Sequence, residues 1–313
     1  MLRIPSLRAG LPVFKALASE TRLSIMELLL QEGPMSITAI CERTGLTAGS
    51  LTPHIRILQD SGLIDVTMRE GKHGILKICT AAESSLLISA PVLSISENMY
   101  ETEIGVGQYT NYEVRPTCGI CTPEHIIGKV DVPACFADAE RMDAHILWFS
   151  SGYVDYMLPC FLKEGQQPLE LQISMEISSE APGVQENWPS DIYFRVNGVN
   201  LGYWTSPGDF GRIRGIYNPS WWFPNWNQHG LFKLLSINGQ GTFMDGGRIS
   251  DTTISDINIR PGRAIAFRIE APENARHVGG ATLFGKGFGN YPQDIRMRMH
   301  YAPRGEEQGK TAL

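Results

Sequence analysis

The chain has 313 residues, enough for two domains with separate cores, and its 42% hydrophobic and 19% charged composition excludes a disordered polymer. No apolar run reaches the roughly 18 residues that span a bilayer, and the opening MLRIPSLRAGLPVF lacks a signal-like apolar core, so a cytoplasmic protein with no membrane partner is expected. Residues 1–90 hold nine Lys/Arg against eight Asp/Glu and the remainder eighteen against twenty-five, within a net charge of −6, so contact with any polyanion must gather positive charge locally.

Between Leu11 and Leu30 the apolar residues Val13, Phe14, Leu17, Leu23, Ile25, Met26, Leu28 and Leu29 recur mostly at helical spacing. Ser19 is placed to cap a second helix, which Gly33-Pro34 ends. Ser36 opens a short helix with Ile37, Ile40 and Cys41, closed by Gly45. Thr47 begins a third segment, TAGSLTPHIRILQDSG, whose Leu51, Ile55 and Leu58 face inward and which Gly62 stops. A proline inside a helix costs about 3 kcal/mol, so this helix either starts late, with Thr52 as cap and Pro53 in the first turn, or bends at Pro53. Two alternating runs, 63–68 and 75–79, flank the basic tip Arg69-Glu70-Gly71-Lys72-His73-Gly74 and predict a hairpin.

The stretches FKALASETRLSIMELL, LTPHIRILQDSGLI and REGKHGILKI, in this order and spacing, resemble the ArsR family of winged-helix repressors. The resemblance implies a winged helix-turn-helix over residues 1–88. It also implies a homodimer paired through the 11–18 region and the residues after Cys79. Physical chemistry points the same way: a helix fits the major groove of double-stranded DNA, and a basic wing reaches phosphate or the minor groove. The candidate DNA contacts are Thr47, Ser50, Thr52, His54 and Arg56 on the third helix, with Arg69, Lys72 and His73 in the wing. A module that serves only protein contacts stays open as the alternative.

Many ArsR-type proteins bind metal through a cysteine pair in the helix before the recognition helix. Here that helix carries Cys41 alone, and one thiolate makes no closed site. Cys118-Gly-Ile-Cys121, with His125 and Cys135 downstream, has the donors for a tetrahedral set. It lacks a second C-x-x-C, however, and RPTCGICTPEH reads as a turn between strands. Free thiols are therefore expected, with no metal and no cofactor.

From Pro91 the helical period gives way to short alternating runs: 169–177, 191–196, 264–269 and 294–301. Asn197-Gly198, Asn238-Gly239, Asp245-Gly246-Gly247 and Pro261-Gly262 punctuate them. This pattern predicts a mostly antiparallel β-sandwich or jelly roll over residues 92–302, hence an α+β multidomain chain, with 303–313 a disordered tail. RPTCG, LWFSSGYVDY, EISSEAPG, WPSDI, GYWTSPGDFG, HVGG and FGKGFGNYPQDI resemble the C-terminal half of a group of ArsR-type regulators that carry a jelly-roll domain. The stretch after WPSDI has a looser likeness to galactose-binding-like sandwiches.

Segment 203–226, YWTSPGDFGRIRGIYNPSWWFPNW, gathers four of the six tryptophans with Asp209, Arg212 and Arg214. Indole faces stack on the apolar faces of sugars, while Asp and Arg hydrogen-bond hydroxyls or carboxylates. Trp204, Asp209, Arg212, Arg214, Trp221 and Trp222 are thus the candidate contacts of a small-molecule effector, a carbohydrate. The same rings would serve equally well as a second small core beneath a long loop. The expected function is transcription regulation, by repression, with sensing in the sandwich and no catalysis. Two alternatives stay open: a sandwich used only for protein interaction, and a carbohydrate-active enzyme fused to a DNA reader, with Asp209 and Asp245 as its available carboxylates.

Overall fold

A computed structural model describes residues 2–4, 7–71, 74–82, 86–88 and 98–303. The chain divides into two compact units, Met1–Ile95 and Ser96–Leu313. The wing-tip residues Lys72 and His73 and the tail from 304 to 313 lie outside the described residues.

The first unit runs β1 (Leu2–Ile4), α1 (Leu11–Leu17), α2 (Glu20–Glu32), β2 (Met35–Ser36), α3 (Ile37–Thr44), α4 (Ala48–Asp60), β3 (Ile64–Gly71), β4 (Gly74–Ala81) and β5 (Leu86–Ile88). Its helices begin and end on the expected punctuation. The Ser36 hydroxyl accepts a hydrogen bond from the Ala39 N–H at 3.1 Å, and Gly45 closes α3 in the left-handed region at φ 71°. The Arg22 guanidinium donates to the carbonyls of Ala16 and Lys15, satisfying the last turn of α1. Val13, Ala16, Ile25, Leu29, Ile40, Leu51, Ile55, Leu58 and Cys79 form one core, and β3 and β4 make the expected antiparallel hairpin, with β2 beside β4. Among the described residues no helix follows Cys79; β5 pairs in parallel with β1 instead.

Helix α4 corrects the expectation of a late start. It begins at Ala48, capped by Thr47, and continues through Pro53 as its sixth residue. The carbonyl that a proline ring crowds belongs to the residue four back, which is Gly49. The Thr52 hydroxyl donates to the Ala48 carbonyl at 2.7 Å, giving that first turn an additional bond.

The second unit contains β6 (Met99–Ile104), β7 (Asn111–Cys121), β8 (Ile146–Leu158), β9 (Gln166–Ser178), β10 (Ser190–Val196), β11 (Val199–Ser206), β12 (Leu231–Asn238), β13 (Gly241–Met244), β14 (Gly247–Ser250), β15 (Ile265–Ala271), β16 (Ala281–Phe284) and β17 (Ile295–Pro303). All of its pairings are antiparallel. Asn197 and Gly198 sit at φ 50° and 82°, and Asp245 and Gly246 at 51° and 83°, the positive-φ pairs that two-residue hairpins require.

The long strands β8 and β9 change partners along their length. One end of β8, 146–149, pairs with β16, while 152–158 pairs with β15. Likewise β9 pairs with β16 at 176–178 and with β17 from 166 to 174. The layers β11-β10-β15-β8-β7 and β6-β17-β9-β12-β13-β14 therefore share one core and are stitched together through β16 into a single curled sheet.

Strand alternation then creates two apolar clusters on opposite faces of that junction. Cys118, Ile120, Leu147, Phe149, Ala281 and Leu283 enter the main core. Cys121, Ile146, Trp148 and Phe284 face outward and pack with Trp222 and Phe288. Cys118-Gly-Ile-Cys121 is thus strand rather than the expected turn, and its two thiols enter different clusters. Burial pushes Cys118 up to about 12 and Cys121 higher still, which keeps both protonated.

Gly119 makes room for this second cluster: a Cβ there would lie 2.3 Å from the Trp148 ring. Gly119→Ala is expected to destabilise the unit by about 1–3 kcal/mol, the usual cost of overpacking. A lowered urea midpoint with altered near-ultraviolet circular dichroism would report it; an unchanged midpoint would mean the ring is free to move.

Candidate functional site

The first candidate surface is α4 with its wing. Leu51, Ile55 and Leu58 anchor the helix in the core, leaving Ser50, Thr52, Arg56 and Gln59 exposed on its other side. The Arg56 side chain is 82% exposed and only loosely tethered, 3.8 Å from Asp60 one turn on. Thr47 serves as cap, accepting from the Ser50 N–H at 3.3 Å and lying 3.0 Å from the Ser50 hydroxyl. His54 is half-buried, with its Nδ1 shielded and without a partner among the described residues. Arg69 is exposed on β3.

The second candidate is a cavity of about 310 Å³ on the outer face of the β-sheet junction. Ile146 and Trp148 from β8 and Thr282 from β16 form its floor. Its walls are the Glu180–Ala181 turn after β9, Asp209, Trp222, Trp226 and Asn227. Thr117, Val130, Asp131, Gly183 and Asn225 complete the lining. The indoles stand edge to face, with centroids 6.1 Å apart for Trp148–Trp222, 5.6 Å for Trp148–Trp226 and 4.9 Å for Trp222–Trp226.

Polar groups in this cavity are firmly held. The Glu180 carboxylate accepts from the Thr117 and Thr282 hydroxyls, each at 3.0 Å. Asp209 accepts the Ala181 N–H at 3.1 Å on one oxygen, while its other oxygen has no partner among the described residues. Asn227 donates through its Nδ2 to the Ser178 hydroxyl, the Ser179 carbonyl and the Thr282 hydroxyl, which leaves its Oδ1 unpartnered among the described residues. Burial raises Asp209 to about 7 against the pull of the Ala181 N–H. Burial, then the neighbouring Asp209, hold Glu180 far above the ordinary carboxylate range.

Residues 17–67, which span α2, α3 and α4, match the family model of a helix-turn-helix domain. The N-terminal unit is a helix-turn-helix domain. None of the curated proteins matches the chain. Among solved structures, the chain is similar to a fragment of a possible transcriptional regulatory protein from Mycobacterium bovis, at 32% identity over 23% of this chain and 73% of that one, with a TM-score of 0.21. It is also similar to the homodimeric winged helix-turn-helix DNA-binding domain of a possible ArsR-family transcriptional regulator from Mycobacterium bovis, at 30% identity over 23% and 63%, TM-score 0.21. Reduced HlyU from Vibrio cholerae matches at 24% identity over 24% and 74%, TM-score 0.21. Each likeness leaves three quarters of the chain uncovered, so the β-rich unit stands on its own geometry. No described helix is long and apolar enough to cross a membrane.

Of the residues singled out for DNA, the helix-turn-helix domain brings Ser50, Thr52, Arg56 and Arg69 to its surface, engages Thr47 as a cap and half-buries His54. Of those singled out for a ligand, Asp209 and Trp222 line the cavity together, and the other four do not. Trp204 belongs to β11, packed against the main core with the Lys233 ammonium 4.5 Å above its ring. Arg212 is drawn out to Glu186 at 3.0 Å. Arg214 is a loop clamp, donating to the carbonyls of Pro219 and Trp222. The Trp221 indole N–H donates to the Pro123 carbonyl at 2.6 Å, away from the cavity. Sequence reasoning missed Trp148, Glu180, Trp226 and Asn227. The alternation in LWFSSG was a usable signal for Trp148, since its neighbours Leu147 and Phe149 enter the core.

Proposed function

We propose that the chain is a DNA-binding transcription regulator, acting as a homodimer and repressor, whose β-rich unit senses a small polyhydroxylated molecule without transforming it. The reading rests on the exposed polar face of α4, with Ser50, Thr52 and Arg56 one helix-width from a buried core face. One such domain covers one half-site, so useful affinity at physiological salt needs two copies. The homodimeric Mycobacterium bovis domain supports this assembly. The three-tryptophan cavity with its buried carboxyl and amide oxygens supports the sensing role, since sugars need ring stacking and polar contacts together.

Selection of bound duplexes from a random pool with the full chain tests the DNA assignment. The recovered site should be a pseudo-palindrome bound two chains to one duplex. Arg56→Ala should weaken binding about tenfold, in line with about 1–3 kcal/mol per lost contact. Recovery of no duplex, or binding untouched by Arg56→Ala, would remove α4 as the reader.

A carbohydrate-active enzyme remains the second reading, favoured by the presence of the Glu180 and Asp209 carboxyls in the lining of one cavity. Glycoside cleavage uses one protonated and one ionised carboxyl, and the separated ionisation of this pair suits such a division. Turnover of chromogenic glycosides that disappears in Glu180→Gln would establish it; absence of turnover across the panel leaves the sensor.

A further inference from the structure

We propose that the cavity of the β-rich unit takes a cation, specifically a polyhydroxylated amine, in preference to a neutral or anionic sugar. This rests on the effector reading above and narrows its ligand. The lining holds three carboxyl side chains, Asp131, Glu180 and Asp209, and no Lys, Arg or His. An anionic ligand would find no basic partner there and would meet the Asp209 carboxylate once that group ionises.

The unmet hydrogen-bonding capacity has one sign. Asp209 is 1% exposed and Asn227 5% exposed, and each leaves one oxygen unpartnered among the described residues. The Asn227 amide cannot turn its nitrogen inward without setting its oxygen against the Ser179 carbonyl, which accepts from it at 3.0 Å. With Asp209 ionised both vacancies are acceptors, and a buried acceptor left unmade is costly. An ammonium offers three donors and no acceptor, and the faces of Trp148, Trp222 and Trp226 carry the negative π density that attracts a cation. Hydroxyls on the same ligand suit the rim, where Asp131 and Asn225 are exposed. The volume of about 310 Å³ fits a monosaccharide-sized molecule.

Charge coupling gives the inference a signature. The carboxyl groups that line the cavity with Asp209 are Glu180, held protonated by burial, and Asp131 at the mouth. On the adjoining segments Arg212 is paired with Glu186, and His229 stacks on Phe210; neither lines the cavity. With Asp209 raised to about 7, a bound ammonium draws the carboxyl into its ionised form. Binding should release a proton near neutrality and tighten as pH rises from 6 to 8.

Isothermal titration of the full chain tests this with matched pairs: glucamine against sorbitol, and glucosamine against glucose, with glucuronate as the anion. Glucamine, whose alkylamine stays charged throughout, serves for the pH series, run in two buffers of different ionisation enthalpy. The expected result is at least tenfold tighter binding of an amine than of its hydroxyl partner, proton release, and at least tenfold weakening by Asp209→Asn. Equal or tighter binding of sorbitol, glucose or glucuronate would overturn the preference for a cation while leaving an effector site in place. Binding of neither amine would also overturn it, and silence across the whole panel would remove the sugar-effector reading as well.

Discussion

Trp222→Ala is expected to destabilise the β-rich unit by about 3–5 kcal/mol, the range for emptying a buried large aromatic site. Trp222 is 2% exposed and lies at the centre of the second apolar cluster, with ring centroids 4.8 Å from Phe288, 4.9 Å from Trp226 and 5.6 Å from Trp221. Its indole N–H donates to the Asn227 carbonyl at 2.9 Å, so truncation also orphans the segment that orients the Asn227 amide. At about 2–4 °C per kcal/mol for a domain of this size, the melting temperature should fall by roughly 10 °C. Trp222→Phe should recover much of the loss. A fall below about 1 kcal/mol for the alanine variant would show that the covering loop closes over the gap and that its rings are not a core.

The second large effect is a stabilisation. Asp209 has a folded-state value of about 7, well above that of an unfolded aspartate. The sign follows from proton linkage: between the two values the native state holds a proton that the unfolded chain has lost. The group's favourable contribution is therefore full below the unfolded value, near pH 4, and is lost as pH rises through about 7. Asp209→Asn imitates the protonated carboxyl at every pH. The variant should match the parent near pH 4 and exceed it at pH 8 by up to about 4 kcal/mol. Urea midpoints across that range give the comparison; a difference independent of pH would contradict the burial argument. Glu176 does not disturb it, although burial raises this carboxyl to about 8 against the N–H groups of Gly230, Asn290 and Tyr291, because both proteins keep it.

What could be read in advance follows the range of the forces involved. Caps and hairpin turns are local, so Ser36, Thr47, Gly45, Asn197-Gly198 and Asp245-Gly246 announced themselves in a few letters. Pro53 left two readings open, a late start or an interior proline, and the Thr47 cap on the Ser50 N–H decides for the interior one. The tryptophan-rich segment was rightly seen as dense in chemistry, but which ring reaches a cavity is decided by distant partners. Trp221 is turned aside by a carbonyl 98 positions earlier, and Arg214 is engaged by its own loop. Glu180 was not singled out from EISSEAPG, because the partners of its carboxyl, Thr117 and Thr282, arrive from β7 and β16, 63 and 102 positions away.

The outward and inward faces of β8 and β16 have a consequence for how substitutions act on this unit. Leu147, Phe149 and Leu283 pack into the main core, while Ile146, Trp148 and Thr282, the letters between or beside them, line the outer cavity. Two separate packing environments are thus written into alternate positions of the same short strands. A substitution at Ile146 or Thr282 therefore disturbs the outer cluster and the cavity while leaving the main core one residue away untouched.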